Sequence, residues 1–168
     1  MIFRSNKANL QNDSNLNLQV ETLEERQMLS TVQIFAAGTT GDEQIQLSIE
    51  GEVVATYTNI GDGADAGVFR TSTFTTNDTI AADDVRIDFI NDLFDPANGI
   101  DRNVRIDAIV IDGVRFETES SDVFSTATYT PDGLQPGFGR GDTLHSNGYF
   151  QYSGDNACLL YTSDAADE

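Results

Sequence analysis

Short runs that alternate apolar and polar residues, broken by Gly, Asp and Asn, leave this chain few ways to fold. Gln44-Ile45-Gln46-Leu47-Ser48-Ile49, Val85-Arg86-Ile87-Asp88-Phe89 and Val104-Arg105-Ile106-Asp107 each put apolar side chains on one face of an extended backbone. No stretch repeats with the period of a helix. Val32–Ala36, Val53–Tyr57, Val68–Thr76, Val114–Glu117 and Gly148–Tyr152 read as further strands, rich in β-branched and aromatic residues. Glu50-Gly51 and Asp112-Gly113 are tight-turn pairs between neighbouring strands, the signature of hairpins. Gly61 to Gly67 is a loop by its glycines. Many short strands with turn signals about every ten residues predict an all-β fold, a jelly-roll-like β-sandwich. Residues 119–156 are Ser/Thr/Gly-rich and carry Pro131 and Pro136. They predict a long irregular C-terminal tail that either wraps the sandwich or links it to a following domain.

The chain's chemistry centres on Phe89 to Asp112. Asn91, Asp92, Asp95, Asn98, Asp101 and Asn103 crowd one loop between two predicted strands. Oxygen ligands of this kind suit a hard cation such as calcium, which takes about six to eight of them. The spacing is not that of an EF-hand. The plain alternative is turn chemistry, because Asp and Asn side chains bond nearby backbone amides. Asp62 and Asp65 in the glycine-rich loop fit turn chemistry better than a second site. His145 is the only histidine and has no cysteine or second histidine for a zinc site. Ser146 lies in no Gly-x-Ser-x-Gly elbow. Arg102 and Arg105 are expected to pair with neighbouring carboxylates.

Charge narrows the partners. The 168 residues carry a net charge of −19, and Lys7 is the single lysine. Such a chain lacks the clustered cations that neutralise phosphates, so nucleic acid is excluded as a partner. An anionic membrane surface would repel it, and no apolar run of about 18 residues spans a bilayer. A neutral ligand such as a polysaccharide, and divalent cations, remain compatible. A glycosidase would need two carboxylates about 5–10 Å apart, one held protonated by an apolar pocket. Carboxylates gathered in one loop favour a cation instead.

The ends read differently from the middle. Residues 1–30 are polar, without packable periodicity, and are expected to be disordered. Their last third, Val20 to Ser30, resembles the leader found on many large exported planctomycete proteins, which implies an extracellular or cell-surface location. Residues 31–157 form the expected domain. Residues 158–168 (CLLYTSDAADE) break the composition abruptly and read as a translated sequencing adaptor. The only cysteine, Cys158, goes with them, and the native sequence is expected to continue into further domains.

Four motifs, in order, resemble the calcium-dependent xylan-binding modules, carbohydrate-binding module family sixty and its circularly permuted relative, family thirty-six. They are Gly38-Thr39-Thr40-Gly41-Asp42-Glu43-Gln44-Ile45, Asn91-Asp92 through Asp101-Arg102-Asn103-Val104-Arg105-Ile106-Asp107, Ile111-Asp112-Gly113, and Leu144-His145-Ser146-Asn147-Gly148-Tyr149-Phe150. The resemblance implies a β-sandwich with calcium at its edge and two vicinal sugar hydroxyls completing the metal's shell. It implies Glu43, Asp92, Asp101 and Asn103 as metal ligands, with Asp42 and Asp95 added from the same two segments. Function would be non-catalytic binding of xylan or a related β-glycan, as one module of a larger exported protein. A structural or adhesive sandwich rigidified by calcium is the alternative. Leu134 and Ser146 stand where many members carry a cysteine pair, and Thr143 where they carry a tryptophan. Phe94, Tyr129 and Phe138 are then the candidates for stacking on a sugar ring.

Overall fold

The computed structural model describes residues 29–154. The leader and adaptor readings therefore fall almost wholly outside the described residues. Fifteen strands follow in order: β1 (Ser30–Gly38), β2 (Gln44–Ile49), β3 (Glu52–Thr58), β4 (Arg70–Thr76), β5 (Val85–Phe89), β6 (Phe94–Asp95), β7 (Ile100–Asp101) and β8 (Val104–Ile111). After these come β9 (Val114–Glu117), β10 (Phe124–Ser125), β11 (Tyr129–Thr130), β12 (Gly133–Leu134), β13 (Gly137–Phe138), β14 (Thr143–Leu144) and β15 (Gly148–Gln151). One sheet runs β14-β8-β1-β4, with β9 also on β8. The other runs β13-β10-β15-β5-β2-β3.

The alternation in the sequence becomes the core. Val32, Ile34, Val104, Ile106, Ile109 and Ile111 from the first sheet meet Ile45, Leu47, Val85, Ile87, Phe89 and Phe150 from the second in one buried cluster. The fold is the expected β-sandwich. Inward residues of β8 step from Ile106 to Ile109, three positions rather than two. A bulge opposite Phe35 and Ala36 absorbs the extra residue, so both halves of the strand keep an apolar face inward. Glu50-Gly51 (φ 52°, 82°) and Asp112-Gly113 (φ 49°, 87°) sit in the left-handed region at both turn positions. That conformation matches the twist of the strands each pair joins.

Residues 119–147 wrap the sandwich. β10 and β13 extend one sheet, while β14 extends the other. Val123 and Ala127 enter the core. One buried hydroxyl pair closes the base of the segment, Thr118 to Tyr152 at 2.7 Å, and another, Ser125 to Thr128 at 2.6 Å, fixes a turn within it. Burial pushes the Tyr152 phenol well above its ordinary pKa, so it stays neutral and hydrogen-bonded. Two-residue strands have no periodicity to read, which is why the sequence suggests only an irregular tail here.

Leu47 is fully buried on a strand paired on both sides. Leu47→Ala is expected to cost about 2–5 kcal/mol through lost burial and the cavity left behind. A lowered midpoint in urea unfolding at unchanged slope checks this.

Candidate metal and carbohydrate site

Several sheet-to-sheet connections leave the sandwich at one end. Gly38, at the end of β1, pairs with Val104, at the start of β8. Leu144 pairs with the same Val104. In the opposite sheet Ile45 and Gly148 both pair with Phe89, where β5 ends. The segments 39–43, 90–103 and 145–147 are therefore neighbours, although they are far apart in sequence.

The first connection is built around Glu43, which is fully buried. Its Oε1 accepts from the Thr39 amide (3.0 Å) and from the Thr40 amide (2.8 Å) and hydroxyl (3.0 Å). Its Oε2 accepts from the Gly41 amide at 2.8 Å. A β-carbon on Gly38 would collide with this carboxylate, so glycine is required there. Four donors replace the water that a buried carboxylate gives up.

Hydrogen bonds then join the connections to one another. The Thr39 hydroxyl donates to the Asp101 carbonyl at 2.6 Å and accepts from the Asn103 amide at 3.0 Å. Asn91 donates to the Asp42 carbonyl (2.9 Å) and accepts from the Gln44 amide (2.7 Å). The Asp92 amide donates to the Asn147 side chain at 2.8 Å. Within the acidic loop, Phe94-Asp95 and Ile100-Asp101 pair as a small hairpin, closed by Asn98 donating to Asp95 at 2.6 Å.

This scaffold shapes a cavity of about 510 Å³. Asp92, Asp101 and Asn103 line it, together with Phe94, Tyr129, Leu134, His145 and Ser146. Burial raises the Asp92 pKa, and the Asp101 charge raises it further. Two carboxylates that repel each other in a partly desolvated wall are a cation's natural partners. The donor set is all oxygen, which fits calcium. Among the described residues no three acidic, histidine or cysteine side chains converge as a metal cage. Amide and carbonyl oxygens, and the ligand itself, would have to supply the remaining positions.

The other predicted metal ligands, Glu43, Asp42 and Asp95, do not line the cavity. Glu43 is behind the cavity, holding the turn. Asp42 is exposed and ion-paired with Arg102 at 3.3 Å. Asp95 serves the hairpin. Phe94 and Tyr129, 68% and 63% exposed, flank the cavity as stacking surfaces should. Phe138 does not reach it: β13 pairs with β10, and its ring packs edge-on against Phe124 at 5.1 Å. His145 and Ser146 were not predicted as ligand residues. The His145 Nδ1 accepts the Tyr129 amide at 3.2 Å, and the two rings meet edge-to-face. The signal for them was the Leu-His-Ser-Asn-Gly string, which gains meaning only once it lies beside Asp92.

Residues 31–126 match the family model CBM60, the Ca-dependent, xylan-binding carbohydrate-binding modules. The chain belongs to this family. CBM60 is a family of binding modules rather than of catalysts. The structure of vCBM60 in complex with galactobiose is similar at 25% identity and a TM-score of 0.56, covering 73% of this chain and 97% of that one. The selenomethionine form of vCBM60, one of two families of calcium-dependent carbohydrate binding modules linked by circular permutation, shares the fold at 24% identity. Its TM-score is 0.55, covering 74% of this chain and 90% of that one. No curated protein matches the chain.

Two measurements probe the geometry. Glu43→Gln would set an amide donor against the turn's N–H groups and is expected to cost about 1.5–3 kcal/mol in thermal or urea unfolding. Asp92 has a raised folded-state pKa, so its penalty on stability grows as pH rises through that pKa and is full at neutral pH. Asp92→Asn is therefore expected to raise the Tm of the domain in chelator at neutral pH.

Proposed function

We propose that this CBM60 chain binds xylan or a related neutral β-glycan by holding calcium with Asp92, Asp101 and Asn103, whose open coordination positions take two vicinal sugar hydroxyls. The supporting observation is the convergence of two carboxylates and an amide on one cavity flanked by Phe94 and Tyr129. Calcium supplies what side chains lack, a centre that takes two neutral oxygens at once. The repelling carboxylates hold the cation, the hydrogen-bonded loops fix their spacing, and the aromatic rings offer apolar faces to a pyranose. Xylan and galactobiose, the ligands named for the family and for vCBM60, share an equatorial vicinal hydroxyl pair. A site that reads the diol and little else suits both.

The same reading makes the chain one module of a larger exported protein, acting outside the cell or at its surface. Its strongly acidic surface and the leader-like string at Val20–Ser30 support this.

Affinity electrophoresis through xylan tests the mechanism. Calcium is expected to retard the domain, and chelator to abolish the retardation. Asp101→Ala is expected to weaken binding at least tenfold, while Phe138→Ala, outside the cavity lining, leaves it unchanged. Retardation that survives chelation overturns the metal-bridged mechanism. Absence of binding to any glycan, with a Tm that still rises in calcium, assigns the metal a purely structural role.

A further inference from the structure

We infer that the side of the sandwich where both sheets end takes an extended segment of another protein as an added strand on β4. The segment is basic at one end and apolar beyond it. This surface is separate from the metal cavity and does not depend on the function proposed above. β4 ends one sheet and β3 ends the other. Among the described residues β4 pairs with β1 alone, in an unbroken register from Arg70 to Thr76. The N–H and C=O groups along its other edge therefore lack a strand partner, the arrangement that accepts an added strand. Such edges are commonly blunted by lysine, proline or a bulge. β4 has none of these. β3 is bulged: Leu47 pairs with Ala55 and Ser48 with Val53, which leaves Val54 as the extra residue.

A groove of about 180 Å³ lies between the two edges. Apolar side chains form much of it. Ile80 is buried, Ile49 and Phe74 are half-buried against the core, and Val54 is exposed. Phe74 shares the half-buried face of β4 with Ser72 and Thr76. Alternate side chains of a strand added beside β4 fall on that same face and cover the groove.

Charge selects the occupant. Glu50, Glu52 and Asp78 line the groove as well, and no lysine or arginine does. They gather where β2 ends, β3 begins and β4 ends, at the opposite end of the sandwich from segment 39–43. A cation at one end of the added strand meets these carboxylates, and apolar residues beyond it meet Phe74 and Val54. A second copy of this chain, at a net charge of −19, brings acid to acid. So does the chain's own stretch before β1, where Glu21, Glu24 and Glu25 outnumber Arg26. The occupant is therefore a separate protein.

The capped peptide Lys-Lys-Val-Thr-Val-Thr-Val, as long as β4, is the probe. It is titrated into the isotope-labelled full chain, and amide shifts and hydrogen exchange are followed by NMR. Without peptide, the amides on the free edge of β4 are expected to exchange rapidly. The peptide is expected to slow that exchange and to shift β4 and residues 78–80, equally in calcium and in chelator. The amides of Asp92 and Asp101 are expected not to move. Glu-Glu-Val-Thr-Val-Thr-Val is expected to bind at least tenfold more weakly. Glu52→Gln combined with Asp78→Asn is expected to bring the two peptides within about threefold of each other. Free-edge amides already protected in the full chain without peptide mean that its own stretch or a second copy covers β4, and overturn the proposal. So does a Lys-Lys peptide that leaves β4 unshifted, equal affinity for the two peptides, or a preference that persists undiminished in the double variant.

Discussion

The binding end of this sandwich depends on one buried carboxylate. Glu43 sits where β1 leaves one sheet and β2 enters the other, and four donors from Thr39, Thr40 and Gly41 converge on it. An uncompensated charge at this depth would cost several kcal/mol, so the turn has one low-energy shape. That shape aims the Thr39 hydroxyl at Asp101 and Asn103. The acidic loop is thus positioned by a residue that does not line its cavity.

A second constraint works against stability. Asp92 and Asp101 face a common cavity, and burial with mutual repulsion raises the Asp92 pKa. The cation would relieve a strain that the fold imposes on itself. Binding sites commonly carry such local cost, offset by the packing around them. Here the offset is a core to which both sheets contribute, together with hydrogen bonds that cross between connections.

Much of this was legible in the residues. The strands Val85–Phe89 and Val114–Glu117 emerge with the boundaries that their alternation implies, whereas β8 keeps its apolar face past Asp107 only through a bulge. Both left-handed turn pairs were visible as Glu50-Gly51 and Asp112-Gly113. Of the six proposed ligands, Asp92, Asp101 and Asn103 line the cavity. Asp42 and Asp95 have the same chemistry and sit in the same segments, yet an ion pair with Arg102 and a hairpin bond to Asn98 occupy them. Composition does not separate these two groups, because backbone direction decides where a carboxylate points. Phe138 illustrates the same limit: its aromaticity was visible, but its sheet position was not.

The sequence by itself determined the class of fold, the acidic loop and the oxygen-only chemistry, because period-two patterning and ligand type are local properties of the chain. The tertiary structure alone decided that His145, Ser146 and Tyr129 face Asp92, that Glu43 stands behind the cavity, and that Arg105 meets Asp142. These pairings join residues about 37 to 54 positions apart through strand register. Register is set by the packing of two sheets against each other, and no local pattern encodes it.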